Sequence, residues 1–189
     1  MKRPIFIVIL LIIISGCTSL SENECHQGNW QALGYNHGQQ GYTLTEGSEI
    51  ILSCHEFGIH PNMEAYKESY QKGLATFCVP ENGFTQGLDG KAYNGICQSK
   101  PFRKAWEEGH DRYLINARIE EVEQRIEDIY QQLKTIKNKL SQSQLAQAER
   151  NELINERNAL KKEQKDLRRE QSLLPLMNKI PSFQINYGG

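Results

Sequence analysis

What this chain lacks narrows its chemistry first. No two of its cysteines are separated by only two residues, so neither a C-x-x-C redox pair nor the close ligand pairs of a structural zinc site can be written. No histidines have H-E-x-x-H spacing, and no serine stands in a nucleophile elbow. The glycines between Gly83 and Gly95 do not follow G-x-G-x-x-G and follow no strand-like run, so a phosphate loop is unsupported. A formal charge of -1 gives no electrostatic reason for nucleic acid as a partner. The residues therefore predict no catalytic centre, metal or cofactor, and a protein that is not an enzyme.

One apolar run exists, Ile5 to Ile14, preceded by Met1-Lys2-Arg3 and followed by Ser15-Gly16-Cys17. Ten residues at about 1.5 Å each cover roughly 15 Å, half of a bilayer's hydrocarbon core, so a membrane span is too short. A basic start, an apolar segment and small residues before a cut make a secretory signal. Ile14-Ser15-Gly16-Cys17 resembles the lipobox of bacterial lipoproteins. The resemblance implies removal of residues 1–16 and a diacylglyceryl thioether on Cys17, a membrane anchor through an N-terminal lipid. Thr18, where Asp favours inner-membrane retention in Gram-negative lipoproteins, then implies the periplasmic face of the outer membrane. Loss of Lys2 and Arg3 moves the charge from -1 to -3.

With Cys17 taken by lipid, Cys25, Cys54, Cys78 and Cys97 form an even set in an oxidising compartment, expected as two disulfides. Of three pairings, Cys25–Cys54 and Cys78–Cys97 close the shorter loops at the lower entropic cost. A tether, 17–24, leads into a domain spanning 25–113. There Tyr35-x-x-Gly38-x-x-x-Tyr42, Tyr70-x-x-Gly73-x-x-x-Phe77 and Trp106-x-x-Gly109-x-x-x-Tyr113 read as three copies of one phrase. Offsets of 3, 4 and 7 place each set on one helix face. The intervening Gly, which costs about 1 kcal/mol of helix propensity, marks a site where another backbone comes close. The aromatics are expected chiefly as core. The competing expectation is a small-ligand or glycan-binding surface of Tyr35, Tyr70, Trp106, His37 and His110. A tetratricopeptide reading fails because Glu46 and Ile50 stand where small and aromatic residues belong.

Thr43 or Thr45 can cap a helix running to about Phe57 with Gly58 as its stop, Pro61 can open the next helix, and Ser99 with Pro101 the one after. Residues 79–95, with Pro80, Gly83, Gly87, Gly90 and Asn94-Gly95, read as turns. Trp30 to Gly109, with Cys54, Tyr70-x-x-Gly73-Leu74, Phe77-Cys78, Pro80-Glu81-Asn82-Gly83, Gly87, Tyr93-Asn94-Gly95 and Cys97, resembles an uncharacterised bacterial lipoprotein family. That family is the domain of unknown function numbered 2799. His37 departs from it, since Asp is expected before the first Gly. The family implies no catalytic residue.

From 114 to 174 the chain holds neither Gly nor Pro, and Ile119, Val122, Ile126, Ile129, Leu133, Ile136 and Leu140 alternate spacings of 3 and 4, a coiled-coil seam. Leu153, Leu160, Leu167 and Leu174 repeat every seven residues out of register with it. Charge is patterned too. Residues 118–128 carry -3, 134–139 carry +3, 149–156 carry -2 and 157–169 carry +4. Folding back around Ser143 would set acidic 118–128 beside basic 157–169 and basic 134–139 beside acidic 149–156, with Ile126 level with Leu160 and Leu133 with Leu153. The fold class expected is mainly α: a small disulfide-stapled helical domain with Gly-rich loops, then a long antiparallel helical hairpin. The alternative is one long helix pairing in a parallel homodimer. Pro175 should end the second arm, leaving a tail, 175–189. The function these features suggest is a non-enzymatic cell-envelope module whose hairpin contacts another envelope protein.

Overall fold

The structure, a computed structural model, describes residues 19–178. Residues 1–16, read above as a signal, Cys17 and the tail from residue 179 lie outside the described residues. Those described form seven α-helices and no strand. They divide into two compact units between Phe77 and Cys78.

In the first unit, α1 (Glu22–Gln27) opens on a capping box between Ser21 and Glu24. It is followed by α2 (Trp30–Gln40) and α3 (Leu44–Leu52). Thr43 caps α3 in a second capping box with Glu46, a 3-10 turn at Ser53–Phe57 continues it, and Gly58 ends the run in the left-handed conformation. In α4 (Met63–Phe77), Asn62 rather than Pro61 satisfies a free amide of the first turn, accepting from Ala65 N–H. Cys25 and Cys54 are joined and fully buried, in a core with Trp30, Ile51, Tyr66 and Tyr70.

The second unit contains α5 (Pro80–Leu88), α6 (Lys100–Leu140) and α7 (Gln147–Met177). Cys78 is bonded to Cys97 across the loop that follows α5. Here the structure corrects the reading of residues 79–95 as turns, because Pro80 starts a helix that runs to Leu88. Propensity argued against a helix with two glycines in nine residues, but Gly83 and Gly87 lie four apart on the face that meets α6. A β-carbon added at either would stand 2.6 or 2.1 Å from the carbonyl oxygens of Phe102 and Trp106. Tertiary contact overrides propensity there.

The same geometry regroups the repeat. In the first unit, Gly34 and Gly38 of α2 press on the carbonyls of Tyr66 and Tyr70, at 2.2 Å for an added β-carbon, and Gly73 of α4 presses back on Tyr35. In the second, Gly83 and Gly87 meet Phe102 and Trp106, and Gly109 presses back on Phe84. Gly41 and Gly90, both at positive φ, cover the rings of Phe77 and Tyr113. The chain thus holds two copies of a two-helix unit rather than three copies of one helix. Tyr35 corresponds to Phe84, while Tyr70 corresponds to Trp106.

Beyond Gly109, α6 runs without interruption to Leu140, so no helix end falls at residue 113. At about 1.5 Å per residue its 41 residues reach roughly 60 Å. The chain then turns and α7 returns along it, so the single long helix of the alternative is not formed. Pro175 lies inside α7, which continues to Met177. Two residues from the helix end, its missing N–H removes one bond from a turn that is already the last.

Candidate functional site

Ile129 and Ile136 of α6 pack with Leu153 and Leu160 of α7 as a buried seam, flanked by the half-buried Leu133, Leu140 and Leu167. Ile126 and Leu133, expected to face Leu160 and Leu153, are only half-buried. Every seventh residue from Val122 (Ile129, Ile136) takes the inner position instead, matching the seven-residue spacing of the leucines opposite.

Two ion pairs fix the register. Arg118 holds both oxygens of Glu170 at 2.7 and 3.0 Å, and Arg125 holds both of Glu163 at the same distances. Both pairs are symmetric about Gln144. Hydrogen bonding to the arginines holds the carboxyls of Glu163 and Glu170 below the usual carboxylate range, and the guanidinium groups are raised in return. These pairs correct the charge scheme read from the sequence. The arginines belong to the net-acidic segment, Glu163 lies within the net-basic one and Glu170 just past its end, so the first arm pairs through its minority charge. Positions flanking the seam reach across, whereas most of the majority charge faces outward.

A groove of about 680 Å³ therefore remains basic. Lys134 and Lys137 line it from α6, and Arg157, Lys161 and Arg168 from α7, with Leu133 and Leu140 also at its surface. No carboxylate lines it. Among the described residues none of these five cations has an ion-pair partner, and the Nε of Arg157 is buried without a hydrogen bond. The charge runs that signal this groove were visible in the sequence. They were assigned to carboxylates on the opposite arm, and only the side-chain directions show that those carboxylates lie elsewhere.

The aromatic and histidine candidates do not share one surface. Tyr70 is buried, its hydroxyl donating to the Tyr42 carbonyl at 2.7 Å. His37 is buried as well, with Nδ1 2.8 Å from the Tyr66 hydroxyl, the donor depending on the tautomer. Burial pushes His37 below its ordinary pKa and raises Tyr66 to about 12, so both partners stay neutral. These two residues are core, which corrects their assignment to a binding surface. Tyr35 is exposed. Trp106 is half-buried, its indole N–H donating to the Lys91 carbonyl at 3.0 Å and its ring stacked on His110 with centroids 4.7 Å apart. Among the described residues no group of three or more His, Cys, Asp or Glu is placed to hold a metal ion, and no helix is long and apolar enough to cross a membrane.

Residues 29–111 match a family described as a protein of unknown function, DUF2799. This segment is similar to DUF2799. The match begins at the cap of α2 and ends just past Gly109, so the matched segment contains both glycine-packed helix pairs and stops before the hairpin seam. No solved structure and no curated protein matches the chain.

Proposed function

We propose that the protein is a lipid-anchored, non-enzymatic module of the cell envelope that works by holding another envelope protein against its helical hairpin. The hairpin carries the reading. Two long helices are locked in register by an apolar seam and two bidentate ion pairs, yet keep a groove of unpaired cations exposed. A charged surface left without internal partners on a rigid support suits recognition better than catalysis. The lipobox-like Ile14-Ser15-Gly16-Cys17 supports the anchor and the envelope address, with the periplasmic face of the outer membrane as the site.

The test is in-cell photo-crosslinking in the full chain from position 143 at the hairpin tip and from position 35, and from position 35 in a chain lacking residues 114–174. The full chain should give a discrete protein adduct. The deletion, probed from Tyr35, should lose it while a lipid-modified Cys17 is still found by mass spectrometry. An adduct that survives the deletion would overturn the hairpin's role, and a Cys17→Ser chain that stays in the membrane fraction would overturn the anchor.

A further inference from the structure

The groove between α6 and α7 has a shape and a chemistry that together specify an occupant, given that the hairpin binds a protein at all. We propose that it receives an acidic, amphipathic helix of a partner protein, laid along the hairpin as a third helix. The inference rests on the reading above and names the chemistry of the partner.

The cations do not converge on a point. Those of α6, Lys134 and Lys137, face Arg157, Lys161 and Arg168 of α7 across the groove. From Tyr130 to Leu140 the α6 side runs about 15 Å, close to three helical turns. An isolated phosphate would use one or two of these groups and leave the rest unpaired. An extended ligand is needed to meet all five.

Leu133 and Leu140 restrict it further. They are seven residues apart, half-buried, and lie among the cations. A hydrophilic polyanion would leave them wet. A helix with apolar residues at spacings of 3 and 4 would cover them, while its flanking Glu or Asp side chains would reach the lysines and arginines. The long lysine and arginine stems would pack along that helix while their charged ends stay at its edges. The buried, unpartnered Nε of Arg157 adds a donor that a carboxylate can satisfy.

A second copy of this chain does not fit. Its acidic stretch, residues 118–128, has Val122 buried inside its own hairpin, and its half-buried Ile119 and Ile126 stand next to Arg118 and Arg125, which carry the same charge as the groove. The partner must bring both the acid and the stripe.

Two measurements on the full-length protein test this. In cells, a photo-reactive residue replaces Tyr130, which is exposed on the groove. The expected adduct is a protein segment in which acidic residues flank an apolar 3–4 repeat. The substitutions Lys134→Glu, Lys137→Glu and Lys161→Glu together should reduce it at least tenfold, with helicity by circular dichroism unchanged. In vitro, a synthetic three-heptad peptide with Leu at the seam positions and Glu on both flanks should bind the detergent-solubilised protein. It should bind the triple variant at least tenfold more weakly, and a Lys-flanked twin should not bind. Adducts with lipid or glycan, binding to phosphatidylglycerol vesicles in preference to the peptide, or peptide binding indifferent to the triple substitution would each overturn the proposal. If position 143 still captures a protein when position 130 captures none, the groove inference fails and the hairpin reading stands. If neither position captures a protein, both fail.

Discussion

Gly87 meets the backbone of Trp106 so closely that a β-carbon added to Gly87 would stand 2.1 Å from the Trp106 carbonyl oxygen. In the other unit, Gly38 holds the same relation to Tyr70 at 2.2 Å. The obstacle in both cases is backbone inside a helix, which cannot swing aside as a side chain does.

Alanine at either position therefore separates two effects of opposite sign. Helix propensity alone would stabilise by about 1 kcal/mol. Overpacking a close contact costs about 1–3 kcal/mol and here forces two helices apart. We expect Gly87→Ala and Gly38→Ala to be destabilising, each in its own unit. Chemical denaturation with an unchanged m-value would check it, and a stabilised variant would show that the glycines serve no close approach.

The Arg125–Glu163 pair should be interchangeable. Arg125→Glu brings two carboxylates together and should lower the melting temperature, and adding Glu163→Arg should restore most of the loss. The pH dependence follows from the carboxyl groups. Glu163 and Glu170 titrate lower in the folded hairpin than in the unfolded chain. Their contribution is present above the ordinary carboxylate pKa of about 4.3 and is lost as pH falls through the lowered folded values. Acid melts of the double swap should keep this dependence, and a chain with alanine at 118 and 125 should show less of it.

His37 produces a second pH response, in the first unit. Its folded pKa is lowered by burial, so below about 6.5 the unfolded chain binds the proton more readily. Stability of that unit should be full above this value and decline as pH falls toward the folded pKa. Thermal melts at pH 7.5 and 5.5 should differ, and His37→Gln should narrow the difference. An equal drop in the variant would assign the response to another group.

Both disulfides should be found intact by mapping peptides of the unreduced protein. Their loops, with sequence separations of 29 and 19, predict losses of roughly 3.6 and 3.2 kcal/mol when each pair is changed to serine. Each loss should be confined to one unit, because each bond lies within one. A loss well below these values would show that the reduced chain keeps structure of its own.

The helical class, the hairpin and the caps at Thr43 and Ser99 were legible in the residue order, since each depends on spacing along one chain segment or on a residue next to a helix end. So was the choice of disulfide partners, because loop length alone ranks the pairings. Seven-residue spacing identified which leucines of the second arm face inward, and Leu153, Leu160 and Leu174 do.

Other features belong to pairs of segments, and only the tertiary structure decided them. The helix at Pro80–Leu88 exists because α6 presents carbonyls that only glycines can approach, a fact that no local propensity contains. Tyr70 and His37 are buried, while Tyr35, in the same repeat as His37, is exposed, because the face a helix buries depends on what lies against it. Net charge by segment placed the two arms correctly beside each other but paired the wrong groups. Coulomb attraction over several residues sets orientation, whereas side-chain direction at each seam position selects Arg118 with Glu170 and Arg125 with Glu163, leaving the lysines of the groove unpaired.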